Sequence, residues 1–491
     1  MNAPATWTPV AAPSLRHHRP GTDQPEGDPG PNGVSGPDGG AGPAAPPGWR
    51  TFRSRVGDHV LVLEGSQVLD LPAGSAAGLG AATLAPYLAH GASLHLGAVP
   101  SVAPQSISLN LTSACNLACS YCYADGGGFE GAQRGAMTAE VAEAAVDRLL
   151  ASCDRRARAT IGFLGGEPFL QGALLAHVVD YATRRAARLG QPLVFSVTTN
   201  GTRLREVDLE LLRTHPFAVT VSIDGDRAVH DRNRPALRGG GSGRGLLPTG
   251  SWDAALARVR PLLADPGLAA VSARATVTAE DVDLARRHDA LVAEGFTVVG
   301  FSPVRTGSGA FTDDTWPRWL AAAVELGERC LADVLAGRPC AFDNLAVALR
   351  QIDAGASSPY PCGAGGGYFS VATDGEWFAC HRAVGDGRFA RDDGRGGIDA
   401  ARQQRFLLDH HVERVEPCRR CWARYLCSGG CHHEADTRTD AACEAVRGWL
   451  EFCLDAYCAV SAQRPEWFGV DPSVRRGHAG GGPMTSRVES C

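Results

Sequence analysis

Three cysteines between residues 115 and 122 have a spacing that could do chemistry. Residues 112 to 124 read Thr-Ser-Ala-Cys-Asn-Leu-Ala-Cys-Ser-Tyr-Cys-Tyr-Ala, which places Cys115, Cys119 and Cys122 in a C-x3-C-x2-C loop. Three thiolates can hold three irons of a cubane cluster and leave the fourth iron open. An open position can take a substrate or a cofactor, as in any catalytic metal site. A three-cysteine zinc site is the plainer reading of the same spacing. Further on, Gly165-Gly166-Glu167-Pro168 combines glycines that permit close backbone approach with a carboxylate able to accept a hydrogen bond from an ammonium. By itself that tetrapeptide could also be only a turn.

A second cysteine set lies toward the C-terminus. Cys362 and Cys380 fit C-x12-G-x4-C through Gly375. Cys418, Cys421, Cys427 and Cys431 follow as C-x2-C-x5-C-x3-C, and then Cys443. Of 16 cysteines, nine fall between Cys362 and Cys458, far from an even scatter. In a reducing compartment such clustering points to metal or iron–sulfur ligation rather than disulfides. A zinc ribbon over Cys418 to Cys431 leaves Cys362, Gly375 and Cys380 unexplained. Cys153, Cys330, Cys340, Cys453 and Cys458 read as buried structural thiols.

The elements that must position these residues alternate. Candidate strands are Ser106–Leu111, Thr160–Leu164, Leu193–Thr199, Phe217–Ile223, Ser272–Thr278 and Thr297–Pro303. Helical stretches at Thr138–Ser152, Leu174–Leu189, Ser251–Leu263 and Ala279–Glu294 separate most of them. Strands joined by crossover helices predict a parallel sheet. Six units predict an α/β fold of partial (β/α)6 TIM-like barrel type, with chemistry at the C-terminal strand ends. The cysteine loop follows the first strand and Gly165–Pro168 the second. Gly239 to Gly250 reads as a mobile Gly-rich insertion. We divide the chain into a disordered Pro/Gly-rich tail (1–48), a β-rich extension (49–104), the barrel (105–336), a cysteine-rich domain (337–465) and a C-terminal tail (466–491). In the extension, 57–63 and 66–71 predict a hairpin, with a helix around Leu79 to Leu88. That unit either packs on the barrel or docks a leader peptide by strand addition.

The chain has 491 residues and a net charge of −6. The acidic balance argues against a general nucleic-acid surface. No run of about 18 apolar residues predicts a membrane span. Met1 to Val10 lacks a basic region followed by an apolar core, so no signal peptide and a cytoplasmic location are expected.

The cysteine loop with Tyr121 before its last cysteine, together with Gly165-Gly166-Glu167-Pro168, resembles the radical S-adenosylmethionine (SAM) superfamily. Thr198-Thr199-Asn200-Gly201-Thr202, Ser222-Ile223-Asp224-Gly225 and His230-Asp231-Arg232-Asn233-Arg234-Pro235 resemble anaerobic sulfatase-maturating enzymes and related peptide modifiers. The second cysteine set resembles the SPASM domain of peptide-modifying relatives. The resemblance implies a 4Fe–4S cluster on Cys115, Cys119 and Cys122, with SAM chelated at the open iron and cleaved to a 5′-deoxyadenosyl radical. It implies SAM contacts from the backbone near Tyr121, from Gly165, Gly166 and Glu167, from Ser222 and Arg234, and from Val304. It implies two auxiliary clusters, one held by Cys362, Cys380 and Cys431, the other by Cys418, Cys421, Cys427 and Cys443. It also implies an electron donor such as flavodoxin or ferredoxin.

Two departures matter. Some relatives carry another cysteine a few residues before the one matching Cys362, and 357–361 contain none. The first auxiliary cluster would then have an open iron, with room for a substrate thiolate, a loop ligand or water. Sulfatase maturases carry an aspartate base after the cysteine matching Cys380. Here it is His381, which can also take a proton, or simply hydrogen-bond near the cluster. Cys427-Ser-Gly-Gly-Cys431-His-His-Glu-Ala435 and Cys443-Glu-Ala-Val-Arg-Gly-Trp449 resemble maturases of quinohemoprotein amine dehydrogenase, which join cysteine sulfur to carbons of acidic residues. The expectation is a peptide-modifying radical SAM oxidoreductase that forms a thioether. Carbon–carbon cross-linking, formylglycine formation and a non-enzymatic iron–sulfur sensor are the rivals.

Overall fold

The computed structural model describes residues 48–73, 84, 103–129, 135–237, 250–265, 271–355, 358–391 and 398–469. The expected helix at Leu79 to Leu88, apart from Leu84, and the Gly-rich stretch before Gly250 lie outside these residues, as do both tails.

A first small sheet is antiparallel, in the order β1 (Trp49–Ser54), β2 (Gly57–Val62), β3 (Gln67–Leu71). The expected hairpin is its β2–β3 half; β1 is an addition. The main sheet contains six parallel strands in sequence order: β4 (Ser106–Asn110), β5 (Ala159–Leu164), β6 (Leu193–Thr199), β7 (Phe217–Ser222), β8 (Val271–Val277) and β9 (Val298–Pro303). They match the six expected strands within a residue at each end. The sheet does not stop there. β10 (Tyr368–Val371) pairs parallel to β4, and β11 (Trp377–Phe378) pairs antiparallel to β10. The cysteine-rich segment therefore extends the barrel sheet itself across 336/337, and the order becomes β11-β10-β4-β5-β6-β7-β8-β9.

The helices are α1 (Ala139–Ser152), α2 (Gly172–Leu189), α3 (Glu206–Thr214), α4 (Arg227–Asn233), α5 (Gly250–Leu263), α6 (Leu284–Ala293), α7 (Trp316–Leu335), α8 (Asp343–Asp353), α9 (Ala400–Asp409), α10 (Arg424–Cys427) and α11 (Asp440–Gln463). The helix expected from Ala279 starts instead at Leu284. The Asp283 carboxylate accepts from the Arg286 amide there and sets the start.

The barrel strands explain where the site is. In β7 and β8 buried and half-buried residues alternate along the whole strand. Val219, Val221, Ala273 and Ala275 face the helices and are buried in the main core. The alternate residues Thr220, Ser222, Arg274 and Thr276 line an interior cavity. A period of two thus gives one apolar outer face and one polar inner face. Phe163, Phe195 and Phe217 stack across β5, β6 and β7 in that outer core. Full burial of such a side chain contributes roughly 1.5–3 kcal/mol.

The small sheet is tied to the C-terminal helix. Arg50 reaches Glu451 at 2.7 Å and lies over the Trp422 ring at 4.2 Å. Arg55 bonds Asp455 at 2.7 Å and Glu328 at 2.8 Å, clamping β1 onto α11 and α7. No helix among the described residues is long and apolar enough to cross a membrane.

Candidate active site

A cavity of about 310 Å³ opens at the C-terminal ends of the barrel strands. Cys115, Cys119 and Cys122 line it together with Tyr121, Gly165 and Gly166. Ser222, Arg234 and Val304 line it as well, so the loops after β4, β5, β7 and β9 converge as expected. Two glycines let the loops meet. A Cβ at Gly165, whose φ is +128°, would lie 2.5 Å from the Thr112 carbonyl oxygen. A Cβ at Gly166 would lie 2.2 Å from that of Ala114. Only glycine fits beneath the cysteine loop.

Glu167 is placed differently from the expectation of direct contact with the SAM ammonium. It is fully buried and is absent from the described residues lining the cavity. Its Oε1 accepts from Thr199 Oγ1 at 2.7 Å and from the Phe169 amide at 3.1 Å, and its Oε2 accepts from the Asn200 amide at 2.7 Å. Burial raises its pKa to about 7 against those donors. These three donors brace the β5 loop against the β6 loop through the carboxylate. Asn200 in turn donates to Asn116 Oδ1 at 3.0 Å and reaches Cys115 Sγ at 3.9 Å. The Thr198–Thr202 segment therefore holds the cysteine loop.

Asp224 is the centre of the opposite wall. It is wholly buried and accepts from Arg234 at 3.0 Å, from the Thr276 amide at 3.0 Å, from Asn233 at 3.4 Å and from the Tyr121 hydroxyl. Burial works against its charge, but Arg234 and His230 outweigh it and hold the carboxyl below its ordinary range. Arg234 is buried, not a surface ion pair, and its guanidinium sits 5.4 Å from the Tyr121 ring centre. Its Nε has no hydrogen-bond partner among the described residues, which leaves a donor for a bound ligand. Asp224 lay inside a segment singled out in the sequence. Nothing in spacing alone marks it as the hub.

Burial pushes Cys115 up to about 12, opposed by a Leu117 backbone hydrogen bond, and Cys119 up to about 11, opposed by Arg234. Buried thiols of this kind ionise only against a cationic partner such as iron. Among the described residues three cysteines line this cavity, the number that a cubane cluster with one open iron takes from the protein. Among the described residues, no three His, Cys, Asp or Glu side chains are drawn together as one shared ion would need.

The second cysteine set separates into two groups. Cys362, Cys380 and Cys431 line one small cavity with His381, Arg382, His432 and His433. Cys418, Cys421 and Cys443 surround Cys427, whose pKa rises to about 11 through burial and these neighbouring thiols. Arg438 donates to Cys418 Sγ at 3.3 Å.

His381 stands between the two chambers. With Tyr368 and Arg382 it lines both the barrel cavity and the cavity of Cys362, Cys380 and Cys431. Its Nδ1 lies 3.0 Å from the Tyr368 hydroxyl, which lies 2.7 Å from Ser108 Oγ. Burial, aided by Arg382 and His433, lowers its pKa to about 3, so the ring is neutral. Glu434, also buried, accepts from Arg382 at 2.6 Å and pairs with Arg305 at 3.2 Å, fixing two cations at the mouth. Tyr368 carries no sequence signal, and Glu434 lies in the 427–435 segment without being singled out in it.

Residues 109–239 match the radical SAM superfamily. This is a radical SAM enzyme. Its cofactors are SAM and the 4Fe–4S cluster. The chain is 27% identical over 335 residues to a serine-type anaerobic sulfatase-maturating enzyme of Klebsiella aerogenes, covering 65% of this chain and 77% of that one. A cysteine-type enzyme of Clostridium perfringens is 32% identical over 127 residues, 25% of this radical SAM chain and 33% of its own. The solved structure of native anSMEcpe with bound AdoMet superposes with a TM-score of 0.61 at 20% identity, over 73% of this chain and 99% of that one. At that identity the superposition speaks for the fold. The sequence relatives of this radical SAM chain given above are sulfatase-maturating enzymes.

Proposed function

We propose that this enzyme modifies a peptide or protein by a net two-electron oxidation that forms a thioether. One observation carries the reading: His381 forms a wall shared by the barrel cavity and the cavity of Cys362, Cys380 and Cys431. A side chain oxidised in the first chamber therefore has an electron acceptor site across the His381 wall. When bound, the cluster and SAM on Cys115, Cys119 and Cys122 supply a 5′-deoxyadenosyl radical that takes one hydrogen atom from a substrate carbon. The substrate's C–H and S–H bonds break and one C–S bond forms. Cys362, Cys380 and Cys431 would hold an auxiliary cluster able to take up the remaining electron, and the thiol proton would leave to solvent, since the buried His381 ring is a weak base. Flavodoxin or ferredoxin would supply the initiating electron.

Formylglycine formation is the second reading, favoured by the sulfatase-maturating relatives. It would use the same electron acceptor site. Co-expression with a cysteine-containing peptide encoded beside the gene tests both. Loss of two hydrogens together with one alkylatable thiol supports the thioether. Loss of hydrogen with every thiol still free overturns it, and replacement of a cysteine by an aldehyde selects formylglycine.

A further inference from the structure

The first auxiliary group has three cysteines where a cubane has four irons. The sequence before Cys362 offers no fourth thiol: Ala356 and Ser357 lead to Ser358, Pro359, Tyr360 and Pro361. A histidine occupies the same cavity. His432 lines it beside Cys362, Cys380 and Cys431. Its side chain is only 7% exposed, and neither ring nitrogen has a hydrogen-bond partner among the described residues. A buried imidazole with both nitrogens unpaired is costly unless something binds one of them. The ring is fixed in place by packing, 4.7 Å from His410, 5.4 Å from Phe406 and 6.3 Å from Tyr360 between centres. His433 follows on the next position of the 3-10 turn. It is half-buried, its ring tilted against Phe389 at 6.1 Å between centres. Only His432 combines near-complete burial with two idle nitrogens.

We infer that His432 is the fourth protein ligand of the first auxiliary cluster, closing it as a three-cysteine, one-histidine site. The inference rests on the auxiliary-cluster part of the proposed function. Its consequence is that no iron there is left for a substrate thiolate, so the cluster serves as electron acceptor only. A neutral imidazole in place of a thiolate removes one negative charge, and histidine ligation raises the potential of iron–sulfur centres. A raised potential suits a centre that receives an electron from a substrate radical.

The test uses the full chain with Cys115, Cys119 and Cys122 all changed to alanine, reconstituted anaerobically and reduced, so that only auxiliary clusters remain. Iron content is read first and should be about eight per chain for two cubanes. About four would overturn the assignment of Cys362, Cys380 and Cys431 as cluster ligands, and the inference with it. At about eight irons, pulsed EPR on protein grown with 15N-histidine decides the ligand. A directly bound 15N coupling that disappears in His432→Ala and survives in His433→Ala is the expected result. The His432→Cys variant guards against simple misfolding: it should keep the iron, lose the nitrogen coupling and show a lower cluster potential. Absence of any histidine coupling at full iron content, or its loss in His433→Ala alone, would overturn the assignment.

Discussion

Arg234 and Asp224 meet at 3.0 Å with their side chains 8% and 0% exposed, directly behind the loop that carries Cys119 and Tyr121. Such a pair keeps Arg234 charged in a place where burial opposes charge. Removing one partner of a buried pair typically costs about 3–5 kcal/mol, because the other charge is left uncompensated. Asp224→Asn keeps the shape and removes the charge. It should weaken SAM binding by more than about tenfold, equivalent to 1.4 kcal/mol, while the iron of all clusters is retained. Calorimetric titration of SAM into the reconstituted protein measures this. Unchanged affinity would show that Asp224 serves the fold alone.

Gly166→Ala tests the seat of the cysteine loop. The added methyl would lie 2.2 Å from a backbone oxygen, so the loop itself must move. Overpacking costs about 1–3 kcal/mol and occasionally more. We expect the variant to lose SAM cleavage and part of the iron on the first cluster, with the auxiliary iron unaffected. Iron analysis together with EPR of the reduced protein separates these. Full activity would mean that the two loops do not touch in the working enzyme.

Glu434 holds Arg305 from the β9 loop and Arg382 from the segment after Cys380. Glu434→Gln should loosen the joint between barrel and cysteine-rich segment by about 3–5 kcal/mol. The thermal midpoint should fall, and the loss should shrink when Arg382 is also replaced. A double-mutant cycle with no coupling would refute the joint.

His230 is fully buried, and its Nδ1 accepts from the Asp224 amide at 3.3 Å. Burial, then Arg234, lowers its pKa to about 4, below the ordinary histidine value of 6.5. The unfolded chain therefore binds more protons than the folded one between about 6.5 and 4. Stability from the neutral ring is present above that window and is lost as pH falls through it. The thermal midpoint of the wild type should drop more steeply from pH 7 to pH 5 than that of His230→Gln. Parallel slopes would contradict this.

Much of the barrel was legible because its strands alternate and its helices have the right period, as in β7 and β8. The cysteine loop was legible because its spacing is local. β10 was not. It is a run of four residues, Tyr368–Val371, buried on both faces, with no alternation to mark it among glycines and cysteines. Asp224 and Glu434 were equally hidden, since their importance lies in partners brought from distant strands. Glu167 shows the opposite failure. Its motif was plain, but burial and three donors give the side chain a bracing position that a short motif does not reveal.

The most direct test of the central claim is anaerobic SAM cleavage by the reconstituted, dithionite-reduced protein. Formation of 5′-deoxyadenosine, abolished when Cys115, Cys119 and Cys122 are changed to alanine while the auxiliary iron persists, is the predicted result. A fully iron-loaded, reduced wild type that binds SAM and yields no 5′-deoxyadenosine, with or without peptide, would contradict it.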